Sequence, residues 1–235
     1  MTTRKRISVI ALVMTLAAGA FSPAANAAAT RYITISAQGS VKVVPDAVRI
    51  NATATSVAAT SKEALATTAK TAAAVRAALK VAKIDTKDIA TQSVSVYPEY
   101  KYNTDGSSTL VGYRGSQAFT ITVRAADTAG SVVDSLVAAG GDNLQINGAT
   151  PFILDSTNSL EAARAAAVKS AKAKATSYAK LMGVKLGKVN YLVENSAPSN
   201  YTPVMAMAKA ESDATVIDLG QQDVTISVTV QWSLL

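Results

Sequence analysis

The stretch "YITISAQGSVKVVPDAVRINATATSV" constrains the fold more than any other part of the chain. Ile33, Ile35, Ala37, Val41 and Val43 share one parity; Val48, Ile50, Ala52 and Ala54 share the other. Strict alternation of this kind marks two half-buried strands. Pro45-Asp46 stands between them. Proline cannot supply the positive φ of the favoured two-residue hairpin turns. A wider loop over residues 44–47, built on a type I turn with Pro45 at its second position, suits a β-hairpin. Val43 then faces Val48, Val41 faces Ile50, and the apolar faces coincide. The dipeptide reads as a turn that sets register, not as a site.

The pattern then changes period. In "SKEALATTAKTAAAVRAALKVAKI" the residues Leu65, Ala69, Ala72, Val75, Leu79 and Ala82 recur at helical spacing, with Ser61 as N-cap and Glu63 in the first turn. "DIATQSVSVYPEYKY" and "VGYRGSQAFTITVRA" form a long hairpin whose polar tip holds the Asp105-Gly106 turn. Asp127 caps a shorter helix ended by Gly140-Gly141, and "NLQINGATPFIL" is a strand. The longest helix is "SLEAARAAAVKSAKAKATSYAKLMG", capped by Asp155, Ser156 or Thr157 and stopped by Gly183. Its apolar side carries Leu160, Ala163, Ala167, Ala171, Tyr178 and Leu181. Arg164, Lys169, Lys172 and Lys180 make a solvated basic stripe. "KVNYLVEN" and "QDVTISVTVQWSL" are strands, joined by an irregular arm with Met205 and Met207. The order β-β-α-β-β-α-β-α-β-β predicts an α+β fold: largely antiparallel sheet, with helices on one face. A division into two lobes is expected near 125–130.

Residues 1–27 read as a secretory signal peptide, cleaved between about 27 and 29. Arg4, Lys5 and Arg6 are the basic start, "ISVIALVMTLAAGA" the short apolar run, and Ala25-Asn26-Ala27 the small-residue cleavage site. That run is too short for a comfortable span, so no transmembrane anchor is expected after cleavage. About 205–208 residues remain, enough for one core or two small lobes. Removing three charges takes the formal net charge from +7 to +4, which gives no reason to expect a nucleic-acid partner. The chain has no cysteine and no histidine. Thiol chemistry and lipid attachment at cysteine are therefore excluded, and so are histidine bases and histidine metal ligands. Export without disulfides leaves packing or subunit contacts to stabilise the fold.

Few residues remain for chemistry. Ser177-Tyr178-Ala179-Lys180 matches the serine–lysine spacing of penicillin-binding enzymes, one helical turn apart, but without their companion motifs. Glu99, Asp105, Asp142, Asp155 and Glu161 form no cluster in sequence; a carboxylate pair of the glycosidase kind requires the fold to assemble it. "NTDGSS" lacks calcium-loop spacing. Tyr97, Tyr100, Tyr102 and Tyr113 gather on the hairpin. They suit either cross-strand pairing or stacking on a glycan or peptide.

"ITISAQGSVKVVPDAVRI", "DIATQSVSVYPEY", "GYRGSQAFTITVR", "EAARAAAVKSAKAKATSYAKLMGVKLGKV" and "QDVTISVTVQWSL", in that order, resemble the SIMPL-domain family. The family is named after an interleukin-1-receptor-associated kinase-binding protein and includes bacterial periplasmic immunogenic proteins. The likeness covers residues 31–235; Ala37 departs from a frequent glycine. It implies an α+β fold, homo-oligomers that include ring- or channel-like assemblies, and a link to envelope or oxidative stress. It implies no catalytic, cofactor-binding or metal residues. The expectation is an exported, non-enzymatic, self-assembling module of the cell envelope, with another envelope protein or a glycan as a further partner. The alternatives are a hydrolase of envelope polymers or peptides, and a glycan- or peptide-binding module.

Overall fold

The computed structural model describes residues 31–195 and 214–235. The expected signal peptide and the Met205/Met207 arm lie outside the described residues. The elements follow the predicted order: β1 (Tyr32–Val43), β2 (Ala47–Ala58), α1 (Ser61–Val81), β3 (Ile89–Tyr102), β4 (Ser108–Val123), α2 (Ala129–Gly140), β5 (Leu144–Phe152), α3 (Thr157–Leu181), β6 (Leu186–Glu194) and β7 (Gln222–Leu234). All strand pairs are antiparallel, so the α+β expectation holds.

The first hairpin does not form. β1 and β2 belong to different sheets, a three-stranded one ordered β1-β7-β6 and a four-stranded one ordered β3-β4-β2-β5. β7 takes β1 in an unbroken register from Tyr32↔Ser233 to Val43↔Gln222. That ladder sets Ile33 opposite Trp232, Ile35 opposite Val230 and Val41 opposite Val224, matching apolar residues along its length. β2 meanwhile sits between β4 and β5, with both edges paired. Residues 44–46 are thus a crossover between sheets. Pro45 is buried there. The Asp46 carboxylate accepts a hydrogen bond from the Leu154 amide at 2.8 Å, and its carbonyl accepts one from the Ala126 amide at 3.2 Å. Gln222, at the start of β7, donates its side-chain amide to the Pro151 carbonyl at 2.8 Å, joining the two sheets at the same place.

Each sheet has its own core. Val48, Ile50, Phe119 and Ile121 meet Val75 and Leu79 of α1 and Val132 and Leu136 of α2. Ile35, Val224, Ile226, Val228, Val230 and Trp232 meet the alanines of α3. The expected division near 125–130 falls inside the first core, where Ala126 and Ala129 are buried.

Two helix faces differ from their sequence readings because small residues let backbone approach backbone. On α1 the buried set is Ala64, Thr68, Thr71, Ala72, Val75 and Leu79, while Leu65 is 42% exposed. Gly115 explains the rotation: a Cβ there would lie 2.6 Å from Thr68 Oγ1 and 2.8 Å from the Ala64 carbonyl oxygen. Ser56 bonds both groups at 2.8 Å. On α3 the buried stripe is Ala163, Ala167, Ala171, Ala175 and Ala179, and Leu181, assigned to it from sequence, is 80% exposed. The four-residue repeat of alanine follows β1 more closely than the mixed spacing read from larger residues. The caps shift too. Thr60, not Ser61, accepts from the Glu63 amide, and Asp127 lies in a 3₁₀ turn before α2 without capping it.

Candidate functional site

The β3–β4 hairpin is the most distinctive surface of the molecule. β2 accompanies it only as far as Ala58, opposite Tyr113. Beyond that point Tyr100↔Leu110, Lys101↔Thr109 and Tyr102↔Ser108 continue as a two-stranded ribbon. The tip is closed by Asn103 and Ser107, with Gly106 at φ +83° in the left-handed region that glycine tolerates. Ser107 donates its amide and hydroxyl to Asp105, which holds that carboxyl below its ordinary range. Tyr97 and Tyr100 are exposed and Tyr102 is 81% exposed, whereas Tyr113 is half-buried where the ribbon meets the sheet.

At the foot of the ribbon Arg114 pairs with Glu99 and reaches Thr55 Oγ1 at 3.4 Å. The Glu99 hydrogen bond raises the Arg114 pKa above its ordinary value. A register shift between Glu99 and Tyr100 hides this pair from a simple count across the Asp105-Gly106 turn. The shift sets Glu99 opposite Gly112, beside Arg114.

The other sequence candidates stay apart. Ser177 and Lys180 are both exposed on α3, and neither lines the open groove of about 490 Å³ between α3 and β6, which Val168, Lys172, Leu186, Val189, Leu192 and Trp232 border. No hydrogen bond among the described residues orients Lys180 as a base for Ser177. Asp155 is engaged by the Thr157 amide at 2.9 Å, which lowers its pKa. Asp142 and Glu161 are exposed at the starts of a 3₁₀ turn and a helix. Among the described residues no three carboxylates gather in a way that could hold a metal ion. Arg164 of the basic stripe pairs with Glu194 at 2.9 Å, and Lys169, Lys172 and Lys180 are exposed as expected.

Sequence reading missed one buried pair. Asp88 accepts two hydrogen bonds from the Arg124 guanidinium, both at 2.7 Å, and its side chain is 7% exposed. The Arg124 hydrogen bonds hold its carboxyl below the usual carboxylate range, outweighing burial, which acts the other way. A depressed carboxyl contributes stability above its unfolded pKa of about 3.9 and loses it as pH falls through the folded value. The melting temperature should therefore fall below about pH 4. In Asp88→Asn that part of the acid slope should vanish in a melting series from pH 7 to pH 2; identical slopes would contradict the assignment.

The sheet faces away from the helices carry pairs of hydroxyls and amides. Ser36 meets Thr229 at 2.9 Å, Thr120 donates to Asn51 at 2.9 Å, Asn147 donates to Thr53 at 2.7 Å and Asn190 donates to Gln231 at 3.0 Å. Such ladders satisfy their own polar atoms and leave few convergent groups for a small molecule. No helix among the described residues is long and apolar enough to cross a membrane.

Residues 33–232 match the family described as SIMPL, protein of unknown function (DUF541). The chain is 28% identical over 215 residues to the 26 kDa periplasmic immunogenic protein of Brucella melitensis, covering 86% of this chain and 84% of that one. It is 28% identical over 231 residues to the uncharacterized protein YggE of Edwardsiella ictaluri, covering 92% of each. It is 30% identical over 188 residues to YggE of Escherichia coli K12, covering 77% of this chain and 72% of that protein.

Proposed function

The chain belongs to the SIMPL family, and from that premise we propose that it is an exported, non-enzymatic module of the cell envelope that works by assembling with copies of itself. The periplasmic name of the Brucella relative and the signal peptide read from residues 1–27 support export. One observation carries assembly: among the described residues, two of the four outer strands, β3 and β6, leave apolar side chains exposed. Val94, Val96, Tyr97 and Tyr100 are exposed on one; Val189, Tyr191, Leu192 and Val193 on the other. Apolar side chains gathered in this way along an outer strand suit a partner's surface better than water. The envelope role follows the stress connection that the family resemblance implies.

Light scattering on the mature chain tests the reading. A mass several times that of one chain is expected at micromolar concentration. A strictly monomeric protein would refute self-assembly.

A further inference from the structure

Resting on that assembly reading, we propose that the free edge of β3 is a self-complementary interface, at which two copies pair antiparallel about Ser95. An outer strand leaves a row of unpaired backbone donors and acceptors, which proteins protect by charge, irregularity or cover. Among the described residues, three of the four outer strands carry such protection along most of their length. β6 has two register breaks in nine residues and carries Lys188 and Glu194. β5 is short, with a register break beside Gly148 and a proline at Pro151. β1 lies directly beneath α3, whose backbone touches Gly39. β3 shares some of these devices, with register breaks between Thr91 and Ser93 and between Glu99 and Tyr100 and a proline at Pro98. Between the breaks, however, Ser93–Pro98 run in unbroken register with no charged side chain and leave Val94 55% and Val96 41% exposed.

The occupant follows from the backbone. Pro98 has no N–H and so fits a position whose backbone faces away from β4. Strand alternation then turns the amides and carbonyls of Val94 and Val96 outward as well. With a two-fold axis at Ser95, Val94 of one copy opposes Val96 of the other, twice. Four backbone hydrogen bonds form, and all outward valine groups are used. Moving the axis to Val96 would put Val94 opposite Pro98 and lose donors. The same pairing sets Val94 against Val96 on one face and Ser93 against Tyr97 on the other, without any like charges meeting. It also doubles the two-stranded ribbon, which alone is too thin to be stable.

The absence of cysteine gives a clean test. Ser95→Cys places a single thiol on the axis, in a non-hydrogen-bonded pair with Cα atoms about 4.5 Å apart, inside the disulfide range of about 4.4–6.8 Å. Mild oxidation of the mature variant should give mostly disulfide-linked dimer, while Gln38→Cys on β1 should stay largely uncrosslinked. Val96→Lys, at a site exposed in the single chain, should weaken association about 10–100-fold and leave circular dichroism unchanged. If the unmodified chain assembles while Ser95→Cys fails to crosslink and Val96→Lys keeps the full mass, this edge is not the interface, though assembly stands. If the unmodified chain is monomeric, both fall, and β3 is left to a strand from another protein.

Discussion

Replacing Gly39 with alanine is expected to destabilise the protein by about 3 kcal/mol, although alanine is the better residue in most strands. The reason is position. Gly39 sits mid-β1 opposite Ile226, and a Cβ there would overlap the Ala167 amide nitrogen and the Ala163 carbonyl oxygen of α3 and lie 2.7 Å from the Ala166 carbonyl carbon. Those neighbours are helix backbone, which cannot swing aside as a long side chain would. The whole of α3 must lift, opening the seam where Ala163, Ala167 and Ala171 are fully buried. For a domain of this size the loss corresponds to a fall in melting temperature of roughly 6–12 °C. A variant that melts with the unmodified protein would mean that α3 does not contact β1 as described.

Phe119→Ala should cost about 3–5 kcal/mol, from the other core. Phe119 is 1% exposed in the centre of the four-stranded sheet, pairs with Ala52 and has the Arg76 guanidinium 5.1 Å above its ring. Deleting the ring leaves a cavity among Ile50, Ile121 and Leu79 and removes the partner of that cation. Hydrogen exchange should separate the two variants. Phe119→Ala loosens β2, β4 and α1 first, whereas Gly39→Ala loosens β1, β7 and α3 first. Equal loosening of both sheets in either variant would contradict two distinct cores.

Alternation and helical period located the strands and α-helices of the described residues, because they are local signals of which side is buried. They did not say which strands pair. The run through Pro45-Asp46 has the look of a hairpin, yet β7 lies far along the chain and complements β1 better than β2 does. That competition is non-local and invisible in a window of residues. Helix faces went astray at Leu65 and at Tyr178 and Leu181 for a related reason. Large apolar residues attract attention, but at Gly115 and Gly39 the close approach selects alanine, serine and threonine. The hairpin tip was legible because a turn and its flanking strands are contiguous. The Arg114–Glu99 and Arg124–Asp88 pairs were not, since each depends on register between elements. For function the sequence excluded more than it assigned. Without histidine or cysteine, the remaining candidates Ser177 and Lys180 lie on an open helix face.

Self-assembly is the claim on which the functional account stands, and hydrogen exchange of the mature chain across a dilution series tests it most directly. The outward amides of Val94 and Val96 should gain protection as concentration rises into the micromolar range, while β2 and β4, already paired on both edges, keep constant protection. Exchange that is independent of concentration throughout the described residues would contradict it.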